Sequence, residues 1–208
     1  MARWQPRPLN RRTPTREPKR KFVIFCEGRN TEPHYFRALM REYRTSLVEL
    51  EIVEAAGVPI TIANAAAERV KTDRGRRKQA VEADDQVWAV FDRDRHARHD
   101  EAVRLCEQAN VRVGRSNPCF ELWLVLHEEE YGRQDDHRQI QEHLRKLRPD
   151  YDPSGAKMLD FANLVQRVED AEKWAAKLLA AREAEGDAFG RPSTTILHLT
   201  RAIRGASA

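Results

Sequence analysis

The sequence has no apolar run approaching the roughly 18 residues that a membrane-crossing helix needs, which excludes a helical integral membrane protein. Its basic N-terminus is not followed by an apolar stretch, so no signal peptide is expected. Cysteine is scarce: Cys26, Cys106 and Cys119 are odd in number and show no CxxC spacing. That argues against a disulfide framework and points to reduced thiols in a cytoplasmic protein. No Cys/His cluster has the spacing of a zinc site. Internal repeats are also missing.

What the chain has in quantity is charge. Of its 208 residues 34% are charged, and the mean hydropathy is −0.75, so the surface is heavily solvated. The length suits one α/β domain with a helical addition, or at most two small domains. The net charge of +4 is unevenly spread. Residues 1–21 hold eight Lys or Arg against the single acid Glu17, a balance of +7. The remainder, with 29 basic and 32 acidic residues of the 37 and 33 in the whole chain, is at −3. A basic arm containing proline can add salt-sensitive, sequence-independent affinity for phosphates. The other reading is a solvated tail without a partner.

Pattern divides the rest. Residues 1–20 lack periodicity and carry Pro6, Pro8, Pro14 and Pro18, which predicts a disordered tail. Phe22–Cys26 reads as a buried strand, Val48–Val53 as a second and Val87–Phe91 as a central strand covered on both faces. Val111–Val113 is a short fourth. Between them, helices are predicted from an N-cap at Thr31, over Ile62–Val70 and over Asp100–Ala109. The Arg/Lys-rich stretch from Arg74 to Lys78 reads as a loop. Pro118–His127 is apolar all round and predicts a buried helix. After about residue 130, Gln139–Leu147, Leu159–Ala184 and Thr194–Ile203 read as helices, with no strand. Strands alternating with helices argue for a parallel sheet of about four strands. The expected organisation is a tail over 1–20, an α/β core over 21–130 and a helical region over 131–208 packed on it.

Two stretches carry the chemistry. In FCEGRNTEPHYF, Glu27 and Gly28 follow a strand and precede a helix. In VWAVFDRDRH, Asp92 and Asp94 follow another. Ligands of open parallel sheets gather at the carboxyl ends of strands. Residues two apart in an extended segment point the same way. Asp92 and Asp94 can therefore aim hard oxygens at one point, as Mg²⁺ or Mn²⁺ requires. Three clustered carboxylates without a cation would raise one another's pKa. Gly28 would let the backbone approach a phosphate. The plainer alternative makes these acids caps, paired with Arg29, Arg93 and Arg95.

The order of these features resembles a Toprim domain, the catalytic fold of topoisomerases, primases and several nucleases. More narrowly, VIFCEGRNTEPHYF, VWAVFDRDRH, SNPCFELWLVLH and RPSTTILHL resemble the RloB-like family over nearly the whole chain after the tail. The resemblance implies a Toprim-like, Rossmann-like sheet and a nuclease acting on DNA or RNA. It also implies a place in restriction and phage-defence loci, often beside an ABC- or SMC-type ATPase. It makes Glu27 the Toprim glutamate, a general acid/base or metal-linked ligand, and Asp92 and Asp94 the Mg²⁺-holding pair. No topoisomerase nucleophile is assignable and the extra domains of such enzymes are missing, which favours hydrolysis.

Around this core stand further candidates. Glu121, among apolar neighbours, must be paired, metal-linked or at an exposed edge. Ser116 and Asn117 either line the same mouth with it, or Asn117 caps the following helix. Gly28, Arg29, Arg95 and Asn117 are the candidate substrate contacts. Glu27, Asp92, Asp94 and Glu121 are the candidate metal ligands. His127 is expected to cap a helix C-terminus as an imidazolium. His34 is expected at the surface, and His96 and His99 are within reach of a site. Lys157 is read as solvated, or as a phosphate contact.

Three functions compete. One is the metal-dependent nuclease. Another is a non-catalytic binding or sensor subunit of an ATPase. The apolar stripe Phe161, Leu164, Val165, Val168, Ala171, Ala175 and Leu178 would fit that role, or would be ordinary core. The third is another DxD enzyme, such as a phosphatase or sugar-nucleotide transferase. The order of the acids disfavours the phosphatase and the chain size the transferase.

Overall fold

The computed structural model describes residues 20–43, 48–54, 57–76, 85–93, 98–152 and 159–205. The tail before Arg20, as well as Asp94, Arg95, His96 and Lys157, lies outside the described residues. The chain runs β1 (Arg20–Cys26), α1 (Thr31–Glu42), β2 (Val48–Glu54), α2 (Pro59–Arg76), β3 (Gln86–Asp92), α3 (His99–Ala109) and β4 (Arg112–Asn117). Then come α4 (Glu121–Val125), α5 (His137–Leu147), α6 (Phe161–Leu164), a 3-10 turn at Val165–Arg167, α7 (Val168–Ala184), β5 (Ser193–Thr194) and α8 (Ile196–Arg204). The five strands form one sheet in the order β2-β1-β3-β4-β5, with β1 to β4 parallel. The fold is α/β, with helices on both faces.

Alternation along the strands builds both layers. Phe22, Ile24 and Cys26 of β1 and Trp88 and Val90 of β3 face the larger core, with α1, α4, α5, α7 and α8. Val23 and Phe25, with Ala89 and Phe91, face a smaller core under α2 and α3. Central strands buried on both faces need continuous apolar runs, and that is why these two were readable.

The C-terminal part differs from expectation. β5 pairs antiparallel with β4, Ser116 opposite Thr194 and Asn117 opposite Ser193. A two-residue strand is too short to leave a periodic pattern. The stripe from Phe161 to Leu178 is core: its members lie buried in the same cluster as β1 and α1. Partner binding loses that support. Where α7 meets α8, the buried Glu172 accepts from Thr200 Oγ1 at 2.8 Å and from Arg204 Nη1 at 2.7 Å. Arg204 also pairs with Glu169.

Other boundaries moved for local reasons. Asn30, not Thr31, holds the N-cap position of α1. α2 continues through Gly75 to Arg76, where a loop was expected. The apolar Pro118–His127 run contains a helix of only five residues, α4, continued by turns. His127 is wholly buried instead of capping as a cation: its Nδ1 lies 2.9 Å from Trp123 O and its Nε2 3.1 Å from Tyr35 OH. Burial pushes its pKa down to about 3, so the imidazole is neutral. Among the described residues no helix is long and apolar enough to cross a membrane.

Candidate active site at the carboxyl edge of the sheet

From β1 the chain moves outward to β2 on one side, then returns to β3 on the other. The crevice at the carboxyl ends of β1 and β3 is thus the topological switch point, where open α/β sheets bind ligands. Asp92 is the last residue of β3 and Glu27 immediately follows β1. The two strands are stitched there. Glu27 N donates to Val90 O at 3.0 Å, and Asp92 N donates to Glu27 Oε2 at 3.0 Å. The glutamate is held by the backbone of the neighbouring strand.

The turn after β1 brings in a third acid. Glu32, in the first turn of α1, folds back so that its Oε1 accepts from Gly28 N at 3.1 Å. Gly28 makes this approach possible, because a Cβ there would lie 2.1 Å from Glu32 Oε2. The glycine expected to admit a phosphate admits a carboxylate. A fourth acid comes from α4. Glu121 is its first residue and is buried. Glu121 Oε1 accepts from Tyr151 OH at 2.9 Å and from Gln141 Nε2 at 3.2 Å.

Glu27, Glu32, Asp92 and Glu121 all line one cavity of about 290 Å³. Among the described residues, Arg29 and His137 are the basic side chains on its wall. The Asp92 carboxyl titrates well above the usual aspartate range. Burial is the main cause, followed by the charges of Glu32, Glu121 and Glu27, while a hydrogen bond from the Phe120 backbone works the other way. Cys119, also on the wall, has its thiol pushed up by burial and then by Glu121 and Asp92. Four acids at one crevice, backed by a continuous core, extend through the span that a family model covers. The model of RloB-like protein matches residues 22–203.

The chain belongs to the RloB-like family. No curated protein and no solved structure matches it. The matched span of this RloB-like chain begins inside β1 and ends inside α8, so it includes every acid of the cavity and the β5 closure.

Of the acids expected from the sequence, the RloB-like fold brings Glu27, Asp92 and Glu121 together, and Gly28 and Arg29 with them. Asp94 and Arg95 lie outside the described residues. Asn117 and Ser116 take no part in the cavity wall. Asn117 Nδ2 donates to Phe189 O at 2.9 Å, and Ser116 Oγ lies 3.0 Å from Thr194 Oγ1. Pairing with β5 turns both toward the C-terminal segment, so Asn117 neither lines the mouth nor caps α4. His99 is buried edge-on against Phe91, while His34 is exposed as expected. Glu32, Gln141 and Tyr151 were missed. Glu32 resembles any first-turn helix acid, and only its five-residue spacing from Glu27 hinted at more. The other two reach the site from a region read as helical packing.

The donor set fits a hard divalent cation in kind: carboxylate oxygens in a polar cavity with room for water. Among the described residues, no three His, Cys, Asp or Glu side chains form a group that could hold a metal ion. The acids of the described residues line the cavity without closing on one point.

Proposed function

We propose that this cavity is the catalytic centre of a Mg²⁺- or Mn²⁺-dependent nuclease of the Toprim-like class, hydrolysing phosphodiester bonds of DNA or RNA in the cytoplasm. One observation carries the reading. Glu27, Glu32, Asp92 and Glu121 share one cavity at the switch point, with Arg29 and His137 as the basic side chains among its described residues. Glu32, Glu121 and Glu27 act on Asp92 as like charges, an effect that a divalent cation would offset.

Glu27, Asp92 and Glu121 are the residues that would hold the ion, with Asp94 as the further candidate from the DxD. A bound ion would supply activated water and charge compensation at the scissile phosphate. The chain's own groups do the rest. Tyr151 and Gln141 orient Glu121 through its Oε1. The Asp92 amide fixes Glu27 Oε2, which positions this glutamate to take a proton from an attacking water. Arg29, exposed on the rim, offers guanidinium donors to a phosphate oxygen. A role in phage defence beside an ABC- or SMC-type ATPase is the part of the proposal that rests on family resemblance alone.

Mn²⁺ titration by calorimetry tests the reading, on the wild-type chain and on Asp92→Asn with folding checked. Binding that the substitution abolishes is the expected result, with loss of cleavage in Glu27→Gln as the catalytic control. A wild-type chain that binds no Mn²⁺, with nucleic acid present or not, would overturn it and favour a non-catalytic binding module.

A further inference from the structure

An acidic cavity repels phosphates, so a nucleic-acid strand needs its hold elsewhere. Phe189 marks a candidate place. It is one of two large hydrophobic side chains exposed among the described residues, at 37%. Its backbone is gripped from the sheet: Phe189 O accepts from Arg93 Nη1 at 2.7 Å and from Asn117 Nδ2 at 2.9 Å. Arg93 directly follows Asp92, and Asn117 ends β4. The exposed ring is therefore fastened to the same sheet edge that carries the acids.

A cation sits on that ring. Arg115 Cζ lies 3.1 Å from the Phe189 centroid. Its half-buried guanidinium makes no ion pair or side-chain hydrogen bond among the described residues. Burial and the nearby charge of Arg93 pull its pKa down to about 10, so an arriving anion would be welcome there. Below lies a cavity of about 420 Å³ at the open part of the β4 edge, walled by Phe189, Arg115, Arg112 and Trp88, with Glu107 the one carboxylate among the described residues that line it. Arg112 Cζ stands 5.8 Å over the Trp88 ring.

Exposed aromatic surface beside guanidinia without ion pairs is the chemistry that holds single-stranded nucleic acid. A base stacks on the ring and phosphates meet the arginines. A duplex hides its base faces, and an acidic peptide offers no base to stack. We propose that Phe189, Arg115 and Arg93 form a guide for single-stranded nucleic acid leading to the acidic cavity, with a base on Phe189 and a phosphate on Arg115. The destination of the strand rests on the nuclease reading above; its binding does not.

The test is fluorescence anisotropy of the full chain with a labelled short oligothymidylate and oligouridylate, in EDTA at one fixed salt concentration. The same sequence as a duplex serves for comparison. Phe189→Ala is expected to weaken single-strand binding roughly five-fold or more, Phe189→Trp to restore it, and the duplex to bind more weakly. Arg115→Gln is expected to weaken binding and lower the salt dependence by about one phosphate contact. Wild-type affinity in both Phe189→Ala and Arg115→Gln would overturn the proposal, leaving any binding to the basic tail. So would equal affinity for the duplex, or binding of polyglutamate in place of oligonucleotides, which would indicate an acidic protein partner. The two readings fail separately. Oligonucleotide binding that depends on Phe189 in a chain blind to Mn²⁺ sinks the nuclease alone. Mn²⁺ binding together with wild-type oligonucleotide affinity in both Phe189→Ala and Arg115→Gln sinks the guide alone.

Discussion

Two places where this molecule buries glutamates, Glu172 in one and Glu32 and Glu121 in the other, differ in what answers them. At the junction of α7 and α8, Glu172 meets Thr200 and the Arg204 guanidinium, with Arg201 Nε 3.5 Å away. At the sheet edge, the partners of the same kind of side chain include, among the described residues, an Asp92 amide, a Gly28 amide, a Tyr151 hydroxyl and a Gln141 amide. The charges that bear most on Asp92 are three other carboxylates. Burial alone does not separate a structural glutamate from a functional one. What differs is the sign of the charges that bear most on Asp92, which is the feature the proposed metal would answer.

The largest effect should come from breaking the balanced cluster. Glu172→Gln leaves the Arg204 cation in place without its buried counter-charge, and should cost about 3 kcal/mol, read as a lowered denaturant midpoint. Gly28→Ala comes next. The added methyl must displace the Glu32 carboxylate, at a cost of about 1–3 kcal/mol, and should weaken Mn²⁺ binding in the same chain. Asp92→Asn should act in the opposite sense, stabilising the metal-free protein while removing its metal affinity. The pH dependence sharpens that contrast. The folded Asp92 carboxyl titrates above its unfolded value, so the folded state holds the proton longer. Metal-free wild type should lose stability as pH rises from about 4 through the raised folded value, and Asp92→Asn should lack that decline. Parallel urea unfolding of the two proteins across this range checks the sign. The smallest effect belongs to Tyr151→Phe, which removes one hydrogen bond from Glu121. It should cost about 1 kcal/mol and loosen Mn²⁺ binding measurably, whereas the same loss at a purely structural acid would leave metal affinity alone.

The sequence carried the parts of the fold that burial writes in full. β1 and β3 are covered on both faces, so their apolar runs were continuous, and the acids at their ends could be placed at one sheet edge. Glu32 was hidden because a first-turn acid is ordinary in a helix, and only the backbone turn at Gly28 aims it inward. β5 was hidden because two residues, Ser193 and Thr194, show no periodicity. That short pairing then decided Asn117 and Ser116, whose side chains turn toward the C-terminal segment. His127 was misjudged for a related reason. The apolar run around it was taken as one helix with an exposed end, whereas Tyr35 and Trp123 enclose the ring within the core.

The closure of the sheet by β5 also sets an order for the birth of the molecule. Ser116 must wait for Thr194, 78 residues later in the chain, before its strand is flanked on both sides. Until Thr194 has been synthesised, β4 presents bare amide and carbonyl groups along that edge, the kind of surface that recruits other chains. The short strand thus covers the carboxyl end of that edge, at Ser116 and Asn117, only once nearly the whole chain has been made.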